Sequence, residues 1–180
     1  MTKEELKAAL CAAIEQRLDD IRAIGMSIAE EPELGYKEVK TSAKVREAFD
    51  RLGIAYETGF GVTGVKARLA GAGHRRTVAL LGELDAIVCR EHPMSDPVTG
   101  AAHCCGHNVQ IANLVAVAMA MKDVDAMKYL GGDLVLFAVP AEEYVEIEYR
   151  NELKKAGKIW FLGGKQEFVK LGVFDDIDIM

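Results

Sequence analysis

A chain of 180 residues, 50% hydrophobic and 28% charged, is long enough to bury one sizeable core and reads as a single globular domain. Its 22 basic and 28 acidic residues leave a net charge of −6 without long like-charge runs, which argues against nucleic acid or an anionic membrane surface as a partner. The opening "MTKEELKAAL" is a charged helix start rather than a basic-then-apolar leader, and no run approaches a membrane span, so a cytoplasmic setting with Cys11, Cys89, Cys104 and Cys105 as free thiols is expected.

Leu6, Leu10, Ile14, Leu18, Ile21, Ile24 and Ile28 recur at three- and four-residue steps, so residues 3–30 read as one long amphipathic helix ended by Pro32. A second helix fits "TSAKVREAFDRLG", with Thr41 as N-cap, Val45, Phe49 and Leu52 inward, and Gly53 past the end. The period then changes. "GVKARLAG" alternates like a half-buried strand, and "TVALLGELD" is a continuous apolar run expected of a strand covered on both faces. Residues 65–85 are therefore expected to form a hairpin leading inward. An irregular loop over 86–104 precedes a helix at "NVQIANLVAVAMAM", and "DLVLFAVP" is another buried strand. Helical signals return at "YRNELKKAG" and "GGKQEFVKLG", and "DIDIM" looks like the start of a strand. This alternation predicts a layered α/β domain with a mixed sheet.

Three chemical clusters fall at strand ends or helix starts, where sites in such sheets collect: "GELDA", "HCCGHN" and "VPAEEY". Singly, each has a structural explanation. Glu142 and Glu143 could be a solvated strand exit or an acidic first helical turn, and His103 and His107 could be packing or capping residues. Together they suggest more. Gly106 permits the tight bend that would turn Cys105 and His107 toward one centre. Cys105 would precede a helix beginning near Asn108, whose positive end favours the metal-binding thiolate. Thiolate plus imidazole suits zinc or another borderline divalent ion, with a carboxylate from another strand end as third ligand. Consecutive residues in extended backbone point opposite ways, so one glutamate can bind metal while its neighbour reaches the attacking water. That layout belongs to a hydrolase.

The ordered set "EPELGYKEVKTS", "TGVKARLAG", "GELDAIVC", "HCCGHN" and "VPAEE" resembles the aminoacylase and carboxypeptidase metallohydrolases of peptidase family M20. The resemblance is to the amidohydrolase branch, which contains hippurate, aminobenzoyl-glutamate and indoleacetyl-amino-acid hydrolases. It implies a layered α/β/α, zinc-peptidase-like catalytic domain with two divalent ions, zinc, manganese or cobalt. Cys105, His107 and Glu143 match the family's metal ligands, and Glu142 its general base, which deprotonates the attacking water. Asp85 matches a supporting aspartate, and Glu83 stands where the branch has another aspartate. Asn108 and Gln110 replace an aspartate and a histidine of the branch, keeping hydrogen-bonding capacity but losing charge and basicity, and Asn108 is expected, with Asp85 and Glu83, to support the metal site from beside the ligands.

Against the family pattern, residues 1–180 read as the N-terminal part of a catalytic domain, without the lid domain and the C-terminal catalytic segment. The implied activity is cleavage of an amide bond in an N-acyl amino acid, dipeptide or related small molecule, in a protein that could form homo-oligomers. The competing reading is a non-catalytic metal-binding or interaction module that keeps the fold and part of the site. A cysteine hydrolase ranks third, because His107 lies too close in sequence to Cys105 to serve easily as its base.

Overall fold

The computed structural model describes residues 1–180. Its centre is a four-stranded mixed sheet in the order β1 (Tyr56–Phe60), β2 (Gly64–Leu69), β6 (Asp133–Val139), β3 (Thr77–Glu83). All seven residues of β6 are buried, as its unbroken apolar run requires. β6 pairs antiparallel with β2 and parallel with β3, so it lies between the two segments expected to form a hairpin. The true hairpin is β1–β2. The expectation failed because β6 offers β3 a full seven-residue parallel partner, a long-range pairing that local turn chemistry at 70–76 does not reveal.

β3 is also not covered on both faces. It is an edge strand, and Val78 and Leu80 are each 38% exposed. The "DIDIM" segment meets this edge through an isolated parallel bridge between Val78 and Ile179, anchored by Asp178, which accepts the Thr77 N–H at 2.8 Å. Helices α2 (Leu18–Glu30), α3 (Val39–Arg51) and α4 (His107–Asp123) cover one face, where Ile28, Phe49, Ile111 and Leu114 pack on Val65, Leu134 and Leu136. α6 (Gly164–Lys170) and the turn after it cover the other, with Phe168 and Val173 against Val135 and Phe137. The alternating side chains of β6 thus divide between two layers, which gives the expected α/β/α arrangement.

The long N-terminal helix is in fact two. α1 (Lys3–Gln16) ends at Arg17, which leaves helical geometry at φ −101°, ψ 7°, and α2 begins at Leu18. Arg17 forks onto Asp123 at the end of α4, at 2.8 and 3.0 Å, and both α1 and α2 pack on α4. α3 starts at Val39 rather than behind a Thr41 cap, because Glu33 reaches across to accept the N–H groups of Lys40 and Thr41 at 3.1 and 2.9 Å. The loop expected over 86–104 contains a short ribbon, β4 (Ile87–Val88) paired with β5 (Ala101–Ala102). α5 (Ile147–Lys155) follows β6 and precedes α6. No helix is long and apolar enough to cross a membrane.

Candidate metal centre

The "HCCGHN" segment leaves β5 and turns into α4 at Gly106, whose φ of 102° lies in the left-handed region that glycine alone enters without penalty. The turn buries His107 in the first position of the helix, beneath the C-terminal end of β3. There its Nδ1 lies 2.7 Å from the backbone oxygen of Asp85. A carbonyl only accepts, so Nδ1 carries the proton and Nε2 faces the cleft.

Two triads of candidate donors share this imidazole. Cys105, His107 and Glu143 place one ligand atom each within 4.8 Å of one another, as do Glu83, His107 and Glu142. Nε2 is 2.8 Å from Glu83 Oε2 and 3.9 Å from Glu142 Oε2. The neighbouring glutamates therefore serve different triads. The loop that carries them begins at Ala141, a non-glycine residue at φ 51°, so they diverge from a left-handed bend and not from extended strand. Lys165, at the start of α6, pairs with Glu83 Oε1 and lies 3.6 Å from Glu142 Oε1.

Residues around these donors hold them from behind. Asp85, wholly buried, accepts the Glu143 N–H on Oδ2 at 2.9 Å while its backbone oxygen orients His107, so it ties two candidate ligands together. Gln110 accepts the Glu83 N–H at 3.2 Å. Asn108 is not at the centre, contrary to expectation: its side chain donates to the Gly25 carbonyl at 3.3 Å and docks α4 on α2. Two residues assigned no role from sequence matter more. Buried Glu38 accepts the Ala141 N–H on Oε1 at 2.7 Å and the Thr63 hydroxyl on Oε2 at 2.6 Å. Arg150 of α5, fully buried, donates to the carbonyls of Leu162 at 2.7 Å and of Glu143, and lies over the Tyr36 ring. Glu38 lies within the "EPELGYKEVKTS" stretch, which was the available signal; for Arg150 there was none.

Burial opposes charge on His107, but hydrogen bonds to Asp85 and Glu83 overcome it and raise its pKa to about 11. The same His107 contact, helped by Lys165 against burial, holds Glu83 down at about 2. Cys105 departs from expectation. The neighbouring Glu143 carboxylate, with burial, raises the thiol above its ordinary value, where the helix start was expected to favour the thiolate. His103 is buried with neither ring nitrogen hydrogen-bonded, and desolvation lowers it to about 4.

Thiol, imidazole and carboxylate converging within 4.8 Å form the mixed donor set that a borderline divalent ion accepts, so the residues fit such an ion. The buried Asp85 Oδ1 makes no hydrogen bond but lies 3.4 Å from His107 Nδ1, so its charge faces the nitrogen whose proton the Asp85 backbone oxygen accepts.

No family model matches the chain. It is 38% identical over 119 residues to IAA-amino acid hydrolase ILR1-like 4 of Arabidopsis thaliana, covering 64% of the chain and 26% of that protein. It is 33% identical over 165 residues to thermostable carboxypeptidase 1 of Saccharolobus solfataricus, covering 89% of the chain and 37% of that protein. Among solved structures, a Bacillus subtilis dinuclear metal-binding peptidase from the M20 family superposes with a TM-score of 0.72 at 23% identity, over 89% of this chain and 41% of that one. The aminobenzoyl-glutamate utilization protein of Klebsiella pneumoniae superposes with a TM-score of 0.67 at 19% identity, over 94% and 44%. The chain thus spans about a quarter to just over a third of the length of these two sequence relatives.

Proposed function

Because the chain is a relative of the amidohydrolase and carboxypeptidase metallohydrolases over most of its own length, we propose that it is the N-terminal part of the catalytic domain of such an enzyme. The reaction is hydrolysis of an amide bond in an N-acyl amino acid, a dipeptide or a related small amide. The observation that carries this reading is the pair of donor triads meeting at His107, with Glu142 and Glu143 directed to different ones.

In this reading Cys105, His107 and Glu143 hold a divalent ion, zinc, manganese or cobalt, and Glu83 and Glu142 border a second position. An ion bound there supplies Lewis acidity, polarising the amide carbonyl and making water a stronger acid. Glu142 takes the proton from the attacking water and later delivers it to the leaving amine. The Asp85 carbonyl keeps a proton on His107 Nδ1, so Nε2 is the nitrogen that would give up its own proton and offer its lone pair to an ion. Glu38 and Arg150 hold the loop between them, so that Glu142 and Glu143 enter the cleft at fixed angles. We place the protein in the cytoplasm, a reducing setting in which its four cysteines would stay thiols.

The test is hydrolysis of a panel of N-acyl amino acids and dipeptides by the complete enzyme, with zinc, manganese or cobalt added after chelation. Activity that is lost on chelation and restored by one of these ions supports the reading. Metal-independent hydrolysis, or none on any amide, overturns it.

A further inference from the structure

We propose that Lys165 takes the place of a second cation in this centre, so that the chain holds one divalent ion, on Cys105, His107 and Glu143, rather than two. The inference rests on the metal reading above and narrows it. Two triads share one imidazole, yet a lysine ammonium contacts the acids of only one of them. The Lys165 ammonium pairs with Glu83 Oε1 and stands 3.6 Å from Glu142 Oε1, while the opposite oxygens of the same carboxylates face His107 Nε2 at 2.8 and 3.9 Å. Imidazole, carboxylate, ammonium and carboxylate therefore close a ring. Its two acids are the donors that a second ion would need. The lysine makes no ion pair with Glu143, the carboxylate of the other triad.

The backbone sets the lysine there. The Gly164 N–H donates to the Ala141 carbonyl at 3.1 Å, and a Cβ at Gly164 would collide with the carbonyl of Pro140. Only a glycine lets the start of α6 approach the loop of Glu142 so closely, and the side chain of the next residue, Lys165, meets Glu83 and Glu142. The Lys165 side chain stays 45% exposed, so the ammonium reaches both acids without being fully stripped of water. A divalent ion seated between the same carboxylates would compete with the ammonium for their oxygens and be repelled by it at short range. The first triad, whose carboxylate Glu143 makes no ion pair with the lysine and whose Cys105 offers soft sulfur to the ion, carries no such conflict.

The experiment is metal stoichiometry of the full chain at saturating Zn2+ by equilibrium dialysis, with Co2+ absorption to report sulfur ligation. Wild type should bind one ion per chain, with a thiolate-to-cobalt band that Cys105→Ser abolishes. Lys165→Met keeps the apolar stem but not the charge, and should bind two ions. Lys165→Arg should remain at one. Adding Glu83→Gln to Lys165→Met should return the count to one, which assigns the second ion to the ring. Two ions in wild type, or one ion in both wild type and Lys165→Met, overturns the inference and leaves the metal reading intact. No ion in any variant overturns both.

Discussion

Glu38, on the loop before α3, accepts the backbone N–H of Ala141 at 2.7 Å across 103 residues of sequence, at the one left-handed residue that leads into Glu142 and Glu143. The contact joins a buried acid to the backbone that aims both site glutamates. Glu38→Ala leaves the Ala141 N–H and the Thr63 hydroxyl without their acceptor, and should lower unfolding free energy by about 2–4 kcal/mol in urea titrations.

Glu38 also makes stability depend on pH. Burial, opposed by the Thr63 hydrogen bond and helped by nearby Asp85, raises its pKa to about 7, against roughly 4.3 in an unfolded chain. Between these values the unfolded state releases the proton and the folded state keeps it. The stabilising contribution is therefore whole below about pH 4.3, is lost as pH rises toward 7, and is level beyond. Thermal melts from pH 4 to 8 should show this decline in wild type, and the wild-type-minus-Glu38→Gln difference should isolate it. A difference that does not change with pH contradicts this account of the carboxyl.

The division between the adjacent glutamates has its own signature in the complete enzyme. Glu142→Gln should reduce turnover by roughly 100-fold to 10,000-fold or more with metal content nearly unchanged, because an amide cannot take the proton from water. Glu143→Gln should lose metal as measured by elemental analysis. Equal metal loss in both variants would refute the assignment.

Asp85 holds His107 through its backbone and Glu143 through its carboxylate. Asp85→Ala keeps the first contact and removes the second. The variant should bind Zn2+ roughly 10–100-fold more weakly in competition with a chromophoric chelator. Unchanged affinity would mean that the Glu143 backbone is placed without it.

Arg150 is buried with no carboxylate partner, its charge spread over the carbonyls of Leu162, Ala141 and Glu143. Arg150→Ala should cost about 3–5 kcal/mol in chemical denaturation, since three carbonyls lose their donor and a large side chain leaves a cavity. Arg150→Lys should recover only part of this, because an ammonium cannot reproduce the planar fork that spans carbonyls from two loops.

The sequence by itself determined the elements whose cause is local and the chemistry of the donors. Helical spacing marked α4, α5 and α6, the unbroken apolar run marked β6, and Gly106 marked the bend between Cys105 and His107, since only glycine tolerates the backbone that bend requires. Neighbouring cysteine, histidine and paired glutamates led to the expectation of a metal-hydrolase layout from residue type and order. What tertiary structure decided was everything that depends on long-range pairing. Placing β6 between β2 and β3 undid the expected hairpin, and it brought the end of β3, with Glu83 and Asp85, beside the loop of Glu142 and Glu143. The break at Arg17, the turning of Asn108 toward Gly25, the protonated bias of Cys105 beside Glu143 and the entry of Lys165 between two acids have the same origin. Each is set by a partner far along the chain or across the cleft, and periodicity reports only what a residue's near neighbours need. A hydrogen bond such as Glu38 to Ala141 leaves no trace at either end until the fold brings the two together.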